Sequence, residues 1–194
     1  MSKRVEIIEQ EEIFKKAIFR INQARLRHER YDGTMSDEMT RLNLERGDSA
    51  AALLHNQADD TVIFTEQFRY PTHAKGPGWI LEVAAGSVES GEDPMETMRR
   101  ELVEEIGYQV EKLRFISKFY LSPGGTSERI WLYYASIKPT DRVGAGGGVS
   151  YEGEDIRTVV IPYQEALMKI ETGDIVDAKT IIALQWLKLN KAYL

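Results

Sequence analysis

Glu101, Glu104 and Glu105 are the side chains of this 194-residue chain best spaced to act together. On a helix, i, i+3 and i+4 relations bring three carboxylates to one face. Local signals supply the helix. Asp93 is a good N-cap, Pro94 stands at N1, Glu96 at N3 completes a capping box, and Gly107 gives a C-terminal stop. Met95, Met98, Leu102 and Ile106 fall on one apolar stripe that should face a core, with the glutamates on the neighbouring face. Like charges bunched in this way repel, and a face built for stability would interleave Lys or Arg. Two readings follow, a solvated acidic face or a site for a hard cation. Mg²⁺ takes oxygen ligands, keeps several waters, and is usually shared between a few carboxylates and phosphates. The loop from Gly86 to Glu92 runs straight into the helix and favours the second reading. It places Glu92, and backbone carbonyls near Ala85 and Gly86, beside the same carboxylates.

The spacing is Gly86, five residues, Glu92, seven residues, then Arg100, Glu101, an apolar Leu102, Glu104, Glu105 and Gly107. It resembles the signature of the Nudix hydrolases and meets every fixed position. Tyr108 is the one departure, standing where the family usually has an aliphatic residue; this touches packing and not chemistry. The resemblance implies an α+β Nudix fold, a mixed β-sheet between α-helices with the signature as loop, helix and loop. It also implies a small N-terminal β element over residues 1–45, serving dimerisation, ahead of a Nudix domain over 46–194.

Other stretches narrow the branch. Pro123 lies fifteen residues beyond the signature, where ADP-ribose pyrophosphatases place a proline. SPGGTSER at 122–129, EQFR at 66–69, WILEVAAG at 79–86 and IALQWL at 182–187 are similar to bacterial ADP-ribose pyrophosphatases. AGGGV at 145–149 and TGDIVDAKT at 172–180 are closer to the GDP-mannose pyrophosphatases of the same branch. The expected substrate is therefore a nucleoside diphosphate sugar. ADP-ribose, giving AMP and ribose 5-phosphate, leads; GDP-mannose, giving GMP and mannose 1-phosphate, is the alternative. Cleanup of mutagenic nucleotides is a third reading, disfavoured by Pro123. A sensor that binds without turnover is a fourth, but sensors tend to carry a damaged signature.

The pyrophosphate of such a substrate repels incoming water, and Mg²⁺, or Mn²⁺ in its place, would neutralise that charge and lower the pKa of a bound water. The resemblance makes Glu101, Glu105 and the Ala85 carbonyl the metal ligands, with Glu104 ligating directly or through water. Arg100 is expected to orient a glutamate by charge-assisted hydrogen bonds, and Glu92 to hold the loop against the helix. Hydrolysis also needs a general base. Related pyrophosphatases take it from a late mobile loop, here residues 143–155, where glycines precede Glu152, Gly153, Glu154 and Asp155. Glu152 is assigned as base and Glu154 as an extra metal ligand, with the order of the two open. A flexible acidic linker is the bland alternative. No Gly-Lys-Ser/Thr follows the glycines, which removes a P-loop. Arg69 follows a strand and could clamp a phosphate, or form only a surface salt bridge. Glu128 could accept from a sugar hydroxyl or position water. His28, His55 and His73 are isolated and read as surface residues. Tyr and Phe side chains within 14–31 could stack on a base, across a homodimer whose N-terminal elements are exchanged, as the resemblance implies.

The elements that must position these groups are legible in part. Residues 16–27 and 26–31 read as strands joined by a turn at Tyr31, Asp32 and Gly33. A charge-rich stretch at 39–46 leads to short apolar strands at 50–54 and 61–68, with a turn at Asp59 and Asp60. Residues 71–78 read as a loop and 79–85 as an apolar run into the signature. Strands are expected at 113–121, 130–137 and 157–161, with helices at 164–171 and 178–189. The last helix should bury Ile181, Ile182, Leu184, Trp186 and Leu189. A net charge of −6 argues against a nucleic-acid binder, which would carry a basic patch. The absence of cysteine removes disulfides. MSKRVEIIEQEE lacks the apolar core of a signal peptide, and no run reaches membrane-spanning length, so no membrane partner and a cytoplasmic location are expected.

Overall fold

The computed structural model describes residues 3–149 and 153–194, and the chain divides into two compact units. The first comprises the residues before Ser49 together with Tyr120–Arg129. Its core element is an antiparallel sheet of β1 (Val5–Lys16), β2 (Phe19–His28) and β3 (Met39–Glu45), in that order. The β1–β2 hairpin turns at Ala17 and Ile18, with Ala17 at φ 51° and Lys16 opposite Phe19. The first hairpin therefore lies one strand earlier than the sequence pattern suggests. VEIIEQEEIFKK is too polar to read as a strand alone and becomes one by pairing with β2. The turn at Tyr31, Asp32 and Gly33 does form, but it links β2 to β3. There Asp32 accepts the Thr34 N–H at 2.9 Å. The charged stretch at 39–46 is β3 itself.

In the second unit the sheet order is β10 (Arg157–Pro162), β5 (Thr61–Phe68), β4 (Ser49–Asn56), β9 (Arg129–Ile137), β8 (Arg114–Tyr120). The first residue of β9 and the last of β8 belong to the first unit. Two short strands join the side, β6 (Trp79–Glu82) on β5 and β7 (Ala84–Ser87) on β4. Pairing of β4 with β9 is parallel, while β5 pairs antiparallel with β4, β6 and β10. All eight residues of β4 are buried, and their period of two divides them between faces. Ala51 and Leu53 enter one core with Ala166 of α3 (Tyr163–Thr172) and Ala183, Leu184 and Leu187 of α4 (Ala178–Asn190). Ala50, Ala52 and Leu54 enter the other with Met98, Leu102 and Ile106 of α2 (Pro94–Ile106). The expected mixed sheet between helices is thus formed, with α2 packed on one face and α3 and α4 on the other. Residues 71–73 of the expected loop join Tyr70 in a short helix, α1 (Tyr70–His73). No helix among the described residues is long and apolar enough to cross a membrane.

Two details differ from expectation in α4. Its inward residues are Lys179, Thr180, Ala183, Leu184 and Leu187, whereas Leu189 is 77% exposed and Ile182 lies at the surface. Asp177 fixes this rotation by accepting the Thr180 N–H as N-cap, at 2.9 Å. His55 is also buried instead of exposed, between the Tyr134 hydroxyl and Asp60, each 3.1 Å from a ring nitrogen.

Candidate active site

Helix α2 starts and ends as its sequence dictates. Asp93 accepts the Met95 N–H at 2.9 Å, and Gly107 closes the helix at φ 75°. Glu96, expected to complete a capping box, pairs instead with Arg99 on the helix surface. Against α2 lies β7, with Gly86 opposite Ala50 of β4. A Cβ at Gly86 would collide with the Glu101 carboxylate, so this signature glycine is the space that Glu101 occupies. Next to it Glu105 accepts the Ala85 N–H at 3.1 Å. Glu105 is only 3% exposed, not on an open acidic face.

The charges of the cluster are strongly coupled. Burial, with the Glu101 charge next in weight, pushes Glu105 up to about 8. Burial also pushes Glu101 up to about 7, against the pull of Arg100 and with Glu104 and Glu154 adding to the rise. Arg100 forms an ion pair with Glu101 at 2.9 Å and donates to Glu104 at 3.0 Å, and its other terminal nitrogen lies 3.8 Å from Glu92. Glu92 in turn accepts the Glu89 N–H at 3.3 Å, which closes the loop ahead of the helix.

Glu154 reaches the same region from the late loop, where its carboxylate accepts the Val149 N–H at 2.9 Å. Glu152 lies outside the described residues. The glycines before it are held on α2, since Gly147 and Gly148 donate to the carbonyls of Glu105 and Glu104 at 2.8 and 3.0 Å.

Arg69 has a buried partner that the sequence did not disclose. Its Nε donates to Glu82 at 2.6 Å, and Glu82 is 3% exposed. The second Glu82 oxygen is taken by Lys179, which also contacts Asp177 at 3.0 Å. Burial alone would lower the Lys179 pKa, but Glu82 and Asp177 reverse this and raise it. An acidic residue within the apolar run WILEVAA was the available signal for this network. Pro123 and Glu128 belong to the first unit. Pro123 is exposed in a turn closed by Gly125 N–H on the Ser122 carbonyl, and Glu128 is buried with Arg46 3.6 Å away.

Among the described residues no three acidic or histidine side chains form a ready-made metal cage. The donors present nevertheless suit a hard divalent ion that keeps water and shares phosphate oxygens. The Glu101 and Glu105 carboxylates offer oxygen, and burial with neighbouring like charges holds both above the ordinary carboxylate range. Such an arrangement could hold a cation and present it to a second anion.

Comparison with known proteins agrees. A family model described as "NUDIX domain" matches residues 45–184. The ADP-ribose pyrophosphatase of Escherichia coli (strain K12) is 37% identical over 187 residues, covering 96% of this chain and 88% of that protein. The GDP-mannose pyrophosphatase of Escherichia coli (strain UTI89 / UPEC) is 39% identical over 166 residues, covering 82% and 85%. A solved structure entitled "Crystal structure of ADP compounds hydrolase" superposes with a TM-score of 0.74 at 20% identity, over 97% of this chain and 95% of that one, a likeness of fold. With the signature intact on the helix and loop that the family requires, this chain belongs to the Nudix hydrolases.

Proposed function

We propose that the protein hydrolyses the pyrophosphate bond of a nucleoside diphosphate sugar, with ADP-ribose as substrate and AMP and ribose 5-phosphate as products. The main support is the pair Glu101 and Glu105, the first half-buried and the second buried, packed on Gly86 and Ala85. The related ADP-ribose pyrophosphatase matches over nearly the whole chain, which favours ADP-ribose. GDP-mannose remains the second substrate because its pyrophosphatase is equally similar over a shorter stretch. Nudix pyrophosphatases generally use divalent metal ions, and Mg²⁺, with Mn²⁺ as substitute, is the ion proposed here.

In this reading Glu101, Glu105, Glu154 and the Ala85 carbonyl hold the metal, and Glu104 joins them directly or through water. When bound, the ions neutralise the pyrophosphate and acidify the attacking water. Glu152 takes that water's proton as its oxygen bonds to phosphorus. The bridging P–O bond breaks, and its oxygen leaves with the second phosphate. Arg100 bridges Glu101 and Glu104 and keeps them aimed. Arg69, held from behind by Glu82, presents its remaining N–H groups to a phosphate. Glu128 and Pro123 are proposed as substrate-binding residues.

The three-stranded N-terminal sheet leaves Val5, Ile7, Ile13, Phe14 and Phe19 largely exposed. Exposed apolar side chains in this number favour an interaction surface. It supports residues 1–45 as a dimerisation element and the protein as a homodimer. The substrate assignment is tested by a panel of nucleotide sugars with Mg²⁺, scored by products. Turnover of ADP-ribose well above GDP-mannose is expected; the reverse order would move the assignment to GDP-mannose.

A further inference from the structure

The foot of the late loop is packed where side chains do not fit. A Cβ at Gly107 would run into the Gly144 carbonyl, and one at Gly146 would stand 2.5 Å from the Glu105 carbonyl oxygen. This closeness lets the N–H groups of Gly147 and Gly148 reach the carbonyls of Glu105 and Glu104. Those carbonyls belong to the last turn of α2, whose acceptors have no partner within the helix. The loop is therefore bonded to the backbone of the residues whose carboxylates make the cluster. At Gly148, φ +80°, a Cβ would lie 2.6 Å from the Glu154 carboxylate oxygen and 2.8 Å from its Cβ. Glu154 fills the place of the missing side chain, and the Val149 N–H holds it there at 2.9 Å.

We infer that residues 144–148 are a positioning element that sets Glu154 in register with Glu101 and Glu105, and that Gly148 is a positioning residue whose bare Cα makes room for the Glu154 carboxylate. The inference rests on reading Glu154 as a metal ligand. Glu154 lies against Gly148, whose N–H is bonded to the Glu104 carbonyl, so its carboxylate is tied to the end of α2. On this view the run of glycines is required for close approach as much as for freedom.

The test compares Gly148→Ala with Glu154→Gln, and with Gly173→Ala as a control for backbone strain. Gly173 caps α3 at a similar φ of +81°, and among the described residues nothing lies within 4 Å of where its Cβ would be. Mn²⁺ binding without substrate, followed by electron paramagnetic resonance, is read beside melting temperature and the Mg²⁺ dependence of turnover. Gly148→Ala should weaken Mn²⁺ binding by roughly 10–100-fold, as loss of a group that orients a ligand does, and Gly173→Ala should leave it unchanged at a similar loss of melting temperature. Glu154→Gln should add little on top of Gly148→Ala. Wild-type Mn²⁺ affinity in Gly148→Ala, or fully additive losses, would overturn the inference while leaving Glu154 as a ligand. Unchanged affinity in Glu154→Gln alone would remove the ligand reading and the inference with it. Should Gly148→Ala fail to fold, the double variant with Glu154→Gly, which removes both contacts with residue 154, must fold as well as Gly173→Ala; failure there also overturns it.

Discussion

Replacing Gly86 with alanine should remove activity and spare the fold. Gly86 lies in β7 and is not among the glycines with positive φ, so alanine meets no backbone strain there. Loss of unfolded-state freedom would even favour the folded state by about 0.4–1 kcal/mol. The new methyl overlaps Cγ, Cδ and Oε1 of Glu101, where ordinary Cβ contacts begin at 3.4 Å. The glutamate side chain is flexible and can yield, but its carboxylate must move by about 1 Å or more, and a displacement of that size costs on the order of 10²-fold in rate. That corresponds to about 2.7 kcal/mol of barrier. Steady-state kinetics under saturating Mg²⁺, with a melting curve for each variant, would measure it. The same substitution in a Glu101→Gln background should cost almost nothing further, because the carboxylate is already gone. Gly86→Ala within a fewfold of wild type, or an equal loss in both backgrounds, would refute the link between Gly86 and Glu101.

His55 should make stability depend on pH. Burial holds its pKa below 6.5 although Asp60 pulls the other way, so the unfolded chain binds the proton more readily. Its contribution is full above pH 6.5 and is lost as pH falls through the lower folded value; a His55→Gln variant should therefore show a flatter melting temperature from roughly pH 7 to 5. An unchanged slope would mean that other groups set the acid sensitivity. Light scattering at micromolar concentration should give a mass near twice 22.1 kDa, and a monomer would remove the shared-site idea. Glu152→Gln should lower kcat by about 10²–10⁴-fold with little change in KM, as expected for a base. If KM carries the loss instead, Glu152 binds substrate and Glu154 becomes the candidate base.

What the sequence disclosed was mostly what is settled locally. Asp93, Pro94 and Gly107 set the ends of α2 without help from distant residues, and Met98, Leu102 and Ile106 declared its buried face. β5 was legible because TVIFTEQF is apolar and bounded by a turn. The misses depend on partners far along the chain. Glu105 is buried because β7 packs on α2 and offers it the Ala85 N–H, twenty residues away in sequence. Lys179 turns inward to meet Glu82, and His55 meets Tyr134, pairings that no periodicity reports. The glycines at 144–148 announced a loop, but not that their backbone would bond to the end of α2. Helix α4 carries apolar residues on most of its circumference, so its buried side was decided by the Asp177 cap and the Glu82 contact.

The central claim is that the Glu101–Glu105 cluster uses a divalent ion to cut a pyrophosphate bond. Its most direct measurement is product analysis of ADP-ribose incubated with Mg²⁺, for the wild-type protein and for Glu105→Gln. Gln keeps the shape of the buried side chain and can still accept the Ala85 N–H, so a folded variant is expected. Wild type should yield AMP and ribose 5-phosphate, should stop when a chelator is added and resume with Mg²⁺, and Glu105→Gln should yield almost no product. Turnover that survives chelation, or a Glu105→Gln variant within a fewfold of wild type, would contradict the account.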